Sequence, residues 1–310
     1  MKMNNYFDFD TCDQFKEYYK KHFRMTKPLQ VSIDRNSVYE GFWLSDSHES
    51  SVIVKWVRKR QVYMIYDDSL DKFVHKDYFF LKHLSKHNIC PQPMYYFNTP
   101  GSAHIVIENL SDDWLLLSDY IYKSRNCSKY PQIIKNIIEI IKMMNENNVY
   151  YTDTKSDNIM INRVTLEIKF IDFEDAIMEK NQLPCMSNLK AGTIGYCAPE
   201  VLAGKHYNVE KSQIFTIGCL IFSFYEKYIP FKTIADTKSV KYVISGKCPK
   251  DVSNIIRSCL VFEPDERPSM ENLLNENWIV HQPAHKPFLT FLSEFWKSMK
   301  EFICFSSNTF

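Results

Sequence analysis

Between residues 29 and 56 apolar positions fall in short runs, Gln30–Ile33, Val38–Trp43 and Ser51–Trp56, separated by polar turn residues. Runs of that length and period predict strands, and their succession predicts an antiparallel sheet. Ahead of them, Thr11 and Gln14 have the spacing of a capping box. It predicts a short N-terminal helix with Phe15, Tyr18 and Phe23 along one side. A helix is expected over about Leu70–His87 and strands over Met94–Phe97 and His104–Ile107, and beyond Glu108 the pattern turns helical. Pro131–Asn147 carries Ile133, Ile134, Ile137, Ile138, Ile141 and Met144 at helical spacing behind a proline, as a core helix should. The most apolar stretch, Ile214–Tyr225, is too short to span a membrane and contains Gly218 and Thr216, so it reads as a buried helix. Strands first and helices afterwards predict an α+β protein of two segregated lobes. The cleft between them is the default ligand site.

The composition narrows the function classes. The chain has 310 residues, 45% apolar and 24% charged, which is enough for a sizeable core and ordinary for a globular protein. A formal net charge of +1 offers no basic excess for nucleic acid or an anionic membrane. The nine cysteines form no CxxC pair, are odd in number and follow no apolar leader, so reduced thiols in a cytoplasmic or nuclear compartment are expected. Residues 281–310 alternate apolar and charged positions around Phe288, Phe291, Phe295 and Trp296. A helix packed on the body is expected there, with a partner-binding or membrane-surface helix as the second reading.

The chemistry concentrates in Tyr151-Thr152-Asp153-Thr154-Lys155-Ser156-Asp157-Asn158, followed beyond a strand-like run by Asp172-Phe173. Alone, an Asp-rich loop beside a strand is equally a solvated turn. Three further segments break the tie: Val52-Ile53-Val54-Lys55, Gly192-Thr193-Ile194-Gly195-Tyr196-Cys197-Ala198-Pro199-Glu200, and Glu263-Pro264-Asp265-Glu266-Arg267-Pro268. In this order they resemble the motifs of eukaryotic-type serine/threonine protein kinases, over about residues 29–280. The resemblance implies a bilobal kinase fold, with a β-rich N-lobe over 29–108 and a mainly helical C-lobe over 109–280. Residues 1–28 would be a helical extension and 281–310 a tail.

It also implies ATP-dependent phosphorylation of Ser/Thr hydroxyls on protein substrates. Phosphoryl transfer depends on positioning and electrostatics, and the matched residues supply both. Asp153 would orient the attacking hydroxyl and take its proton, and Lys155 would reach the γ-phosphate. Asn158 and Asp172 offer the hard oxygen ligands that Mg²⁺, or Mn²⁺, prefers. Lys55 would contact the α- and β-phosphates, Val38, Ile53 and Met160 would sandwich the adenine, and backbone groups of Glu108 and Leu110 would meet its edge behind Ile107. Glu200 and Arg267 would form a buried ion pair. Lys155 with Thr193 resembles the serine/threonine pattern rather than the tyrosine one.

The chain also departs from the family. Aligned on Val38, the glycine loop would place its glycines at Val31, Ile33 and Asn36, and none is present, which weakens phosphate contact by backbone amides. Asp77 is the best candidate to pair with Lys55 in place of the family's longer glutamate, and a solvated Asp77 is the other reading. Tyr151-Thr152 replaces His-Arg, removing the usual dock for a phosphate on the loop that carries Ser187. Glu174 replaces the glycine of Asp-Phe-Gly, and it either attracts the metal or restrains the flip of Phe173. Gln213 replaces an aspartate that braces the catalytic loop, and its amide still accepts hydrogen bonds. The losses keep a second reading in play, a pseudokinase scaffold with weak or no catalysis and a regulatory partner. A small-molecule kinase is disfavoured by the segment ending at Glu200.

Overall fold

The computed structural model describes residues 6–30, 36–45, 49–179, 186–187, 192–204 and 206–280. The expected strand end at 31–33, the loop positions Val31 and Ile33, and the tail 281–310 lie outside them.

In chain order the first lobe runs β1 (Tyr6–Asp8), α1 (Cys12–His22), β2 (Phe23–Gln30), β3 (Ser37–Leu44), β4 (Glu49–Arg58), β5 (Met64–Asp67), β6 (Lys72–His75), α2 (Lys76–Leu84), β7 (Pro93–Thr99) and β8 (Ser102–Glu108). Six strands form one sheet in the order β1-β7-β8-β4-β3-β2. Every pairing is antiparallel except β1 on β7. The capping box at Thr11 and Gln14 starts α1 as its spacing requires. Phe15 and Phe23 are buried with Val52, Val54, Phe97 and Val106, so the N-terminal segment closes the back of the sheet. Phe23 lies on β2 rather than on the helix, and β2 runs on across residue 28.

The helix expected over Leu70–His87 is shorter. Its first residues form β6, paired with β5 in a separate hairpin, and α2 begins only at Lys76. Asp71 turns that hairpin with a left-handed φ of 54°. The buried His75 then caps the helix, its ring nitrogen accepting from the Asp77 N–H at 3.3 Å.

The second lobe comprises β9 (Trp114–Leu116), α3 (Leu117–Lys123), α4 (Tyr130–Glu146), β10 (Val149–Tyr150), β11 (Ile159–Asn162), β12 (Ile168–Phe170), β13 (Ile177–Met178), α5 (Pro199–Ala203), α6 (Val209–Glu226), α7 (Ile234–Lys238), α8 (Lys250–Cys259), α9 (Met270–Leu274) and α10 (Asn277–Val280), with minor strands besides. All six apolar residues that gave α4 its period are buried. Burial of each side chain of that size stabilises by roughly 1.5–3 kcal/mol. Helix α6 holds the apolar run at Ile214 and is buried on all sides. Gly218 lets it approach α8, since a Cβ there would lie 2.6 Å from the Cys259 Cβ. No helix among the described residues is long and apolar enough to cross a membrane. The β-rich first part and helical second part are the expected α+β bilobal architecture.

Candidate active site

Strand β4 and helix α2 bring two distant charges together under the sheet. Lys55 Nζ donates to Asp77 Oδ2 at 2.7 Å and to Asp172 Oδ1 at 3.0 Å. The Asp77 side chain is 1% exposed, so the solvated reading is excluded and the shorter carboxylate reaches the lysine. Its other oxygen accepts the Phe173 N–H at 2.8 Å, which ties α2 to the segment holding Asp172. Burial alone would lower the Lys55 ammonium, but Asp172 and Asp77 outweigh it and hold its pKa above the usual lysine value. Burial would raise Asp172, and the charge and hydrogen bond of Lys55, with help from Lys155, hold it below the ordinary carboxylate range.

Asp172 follows β12 with a φ of 65°, a left-handed conformation that a non-glycine residue adopts only when its surroundings hold it there. Tyr151 is one such support. Burial pushes its phenol well up, so it stays a donor, its single O–H shared between the Ile171 carbonyl at 2.6 Å and the Asp172 carbonyl at 3.0 Å. Its ring meets Phe173 edge-on at 5.1 Å. Thr152 Oγ1 donates to the Asp175 carbonyl at 2.7 Å. The two residues that depart from His-Arg therefore brace the backbone on either side of Phe173. Sequence reasoning saw only what they had lost, since nothing local in the sequence pairs 151–152 with 171–175.

The loop between β10 and β11 gathers a second cluster. Asp153 Oδ2 accepts from Lys155 Nζ at 2.8 Å and from Asn158 Nδ2 at 2.9 Å, and Oδ1 accepts from Thr193 Oγ1 at 2.8 Å. Lys155 Nζ donates to Thr193 Oγ1 at 2.7 Å, which closes the ring. The amide nitrogen of Asn158 is spent on Asp153, which leaves its amide oxygen for a cation, and Asp172 supplies carboxylate oxygens on the same cavity wall. This donor set fits a hard divalent ion. Glu174 lines the same cavity, and its Oε1 lies 3.9 Å from His75 Nε2; neither atom has a hydrogen-bond partner among the described residues. Burial, then the charges of Asp172, Asp77 and Asp175, pushes the Glu174 carboxyl up to about 8 against the pull of Lys55, while burial pushes His75 down to about 4.

The brace of the loop that carries Asp153 differs from expectation. Gln213 donates from Nε2 to the Tyr151 carbonyl at 3.0 Å, and its oxygen accepts from Asn145 at 2.9 Å. The amide therefore supports the loop as a donor, which an aspartate cannot do. The expected Glu200–Arg267 pair is bidentate, at 2.6 and 2.8 Å, with the arginine side chain fully buried.

A cavity of about 550 Å³ beside the first lobe is lined by Val38, Ile53, Glu108, Leu110 and Met160, all five sequence-predicted base contacts. A second, of about 830 Å³, holds Asp153, Lys155 and Thr193, and both are lined by Lys55, Asn158 and Asp172. Asn36, one of the lost glycine positions, lines the second cavity. The Glu108 N–H is taken by the Gln92 carbonyl at 3.0 Å, and its carboxylate accepts from the buried Lys169 at 3.2 Å, a contact the sequence reading did not include.

Comparison with known proteins gives a family and distant relatives. The family described as "Protein kinase domain" matches residues 37–279. Serine/threonine-protein kinase pim-2 of Danio rerio is 25% identical over 187 residues, covering 60% of this chain and 59% of the relative. Serine/threonine-protein kinase prk-2 of Caenorhabditis elegans is 29% identical over 152 residues, covering 47% and 33%. Serine/threonine-protein kinase PSK1 of Saccharomyces cerevisiae is 28% identical over 150 residues, covering 48% and 11%. The chain spans less than two thirds of the length of each of these relatives.

Proposed function

This chain belongs to the protein kinase family, and from that premise we propose that it is an active serine/threonine kinase, transferring the γ-phosphoryl group of ATP to hydroxyls of protein substrates. The observation that carries the reading is the closed Asp153–Lys155–Thr193 ring beside Lys55, which is itself paired with Asp77 and Asp172. A scaffold has no chemical need to hold five charged groups in this geometry.

Val38, Ile53 and Met160 enclose the adenine, and the backbone of Glu108 and Leu110 meets its edge. Lys55 binds the α- and β-phosphates, and Lys155 the γ-phosphate. Asp153 Oδ1, which carries a single donor, has a lone pair free for the substrate hydroxyl, orients it and takes its proton. Asn158 and Asp172 hold Mg²⁺ or Mn²⁺, which when bound neutralises charge on the transferred phosphoryl group. The proposed catalytic domain is 29–280, with 1–28 as an N-terminal extension and 281–310 as a tail. Cytoplasm or nucleus is the proposed compartment, and a regulatory partner is compatible with the missing arginine dock.

The pseudokinase reading is favoured by the lost glycines of the phosphate-covering loop, at Val31, Ile33 and Asn36. Incubation with radiolabelled ATP, Mg²⁺ or Mn²⁺ and a mixture of serine, threonine and tyrosine peptides separates the two. Phosphoserine or phosphothreonine from wild type and none from Asp172→Ala is the expected result. No transfer with either metal moves the assignment to a scaffold.

A further inference from the structure

In the position where the family resemblance expects a flexible glycine, this chain has Glu174, and the residue it faces is His75. The histidine side chain is 0% exposed. Its Nδ1 accepts the Asp77 N–H at 3.3 Å, which requires that nitrogen to be unprotonated and so places the ring proton on Nε2. Among the described residues Nε2–H is therefore a buried donor without an acceptor, and 3.9 Å away Glu174 Oε1 is a buried acceptor without a donor. Leaving both unmade is costly, which favours a hydrogen bond between them.

We propose that Glu174 and His75 form a hydrogen-bonded latch that joins the metal-site segment to the start of helix α2 and positions Asp172 and Asp77 for phosphotransfer. Two residues on one side, 173 and 174, are thereby linked to two on the other, 75 and 77. The Phe173 N–H is held by Asp77 Oδ1 at 2.8 Å, and the latch is its side-chain counterpart. Rotation of Phe173 out of its pocket then breaks both links together. Of the two roles open to Glu174 from sequence, restraint of Phe173 is the one proposed, since its unpartnered Oε1 lies beside the imidazole; Glu174 also lines the cavity of Asn158 and Asp172, so the Mg²⁺ dependence tests the other. Glu174 and His75 are positioning residues, acting through Asp172 and Asp77. The effect on rate rests on the phosphotransfer reading, whereas the latch itself does not.

Hydrogen–deuterium exchange at the Phe173 amide, measured on the full chain without nucleotide, tests the latch directly. His75→Asn keeps a capping acceptor and removes the Nε2 donor, Glu174→Ala removes the acceptor, and Glu174→Gln keeps an acceptor oxygen. Exchange is expected to rise about tenfold in His75→Asn and in Glu174→Ala, by about the same tenfold in their combination, and by less than about twofold in Glu174→Gln. In a phosphotransfer assay kcat falls about tenfold in the first two variants, and whatever shift appears in KM for ATP or in Mg²⁺ dependence is the same in both. Should the His75 variant fail to fold, the contrast between Glu174→Ala and Glu174→Gln decides alone. An additive, about hundredfold rise in the double variant, or no rise in Glu174→Ala, overturns the latch. So does a shift in Mg²⁺ dependence confined to Glu174 variants, which would make it a metal ligand. If the exchange pattern appears but no protein transfers phosphate, the latch stands and the kinase activity falls.

Discussion

Replacing Glu200 by alanine removes the counter-ion of a guanidinium that has no access to water. Arg267 spends all five N–H donors: two on Glu200 at 2.6 and 2.8 Å, and three on the carbonyls of Val261, Lys211 and Phe262 at 2.9–3.0 Å. Its charge also lies 5.0 Å above the Phe215 ring. Without Glu200 two donors and a full charge remain buried and uncompensated, which costs about 3–5 kcal/mol. At a few degrees per kcal/mol in a domain of this size, the melting temperature falls by roughly 10 °C. The double variant Glu200→Ala/Arg267→Met, in which no buried charge is left, recovers much of that loss, so the two substitutions are strongly non-additive. Urea unfolding of the four proteins measures both quantities. A Glu200→Ala protein within about 1 kcal/mol of wild type, or additive losses, would refute the buried-pair account.

Gln213→Asp restores the residue the family uses, yet it is expected to destabilise by about 1–3 kcal/mol, because a buried carboxylate has no hydrogen to give the Tyr151 carbonyl. Thermal melting checks it, and an equal or higher melting temperature contradicts it. His104 lies in β8 between the Phe15 ring at 4.2 Å and the Trp56 ring at 5.7 Å, and burial pushes its pKa down from 6.5 to about 4. Because the unfolded chain protonates first, stability from this group is complete above pH 6.5 and lost as pH falls toward 4, by about 3 kcal/mol. His104→Phe flattens that part of the profile, and the difference between the two proteins isolates His104 from His75 and Glu174. Parallel pH profiles would show that the ring is not buried neutral.

What the sequence disclosed and what it hid divide by the range of the interactions. Asp153, Lys155 and Asn158 fall within one loop, so their proximity was readable from spacing, while the Glu200–Arg267 pair was implied by the family resemblance of the segments around them. Helices α4 and α6 announced themselves because long buried faces repeat over several turns. The β5–β6 hairpin did not, since it is four residues a side and turns on Asp71 in a left-handed conformation rather than on a glycine. Phe73 and Val74 therefore read as part of the following helix. Strand β1 was missed for a similar reason, having three residues that pair in parallel with a segment ninety positions away. Gln213 was identified by position but with the opposite hydrogen-bond sense, which depends on whether the facing group is a carbonyl or an N–H. The reach of Asp77 to Lys55 depends on how closely α2 seats, a distance no local pattern encodes.

The most direct test of the central claim is phosphotransfer under single-turnover conditions, with nucleotide binding measured alongside, for wild type and Asp153→Asn. The account predicts that both proteins bind ATP with Mg²⁺, that wild type labels a serine or threonine peptide, and that Asp153→Asn does so at least about a hundredfold more slowly. Equal rates in the two proteins, or nucleotide bound by wild type with no transfer, would contradict it.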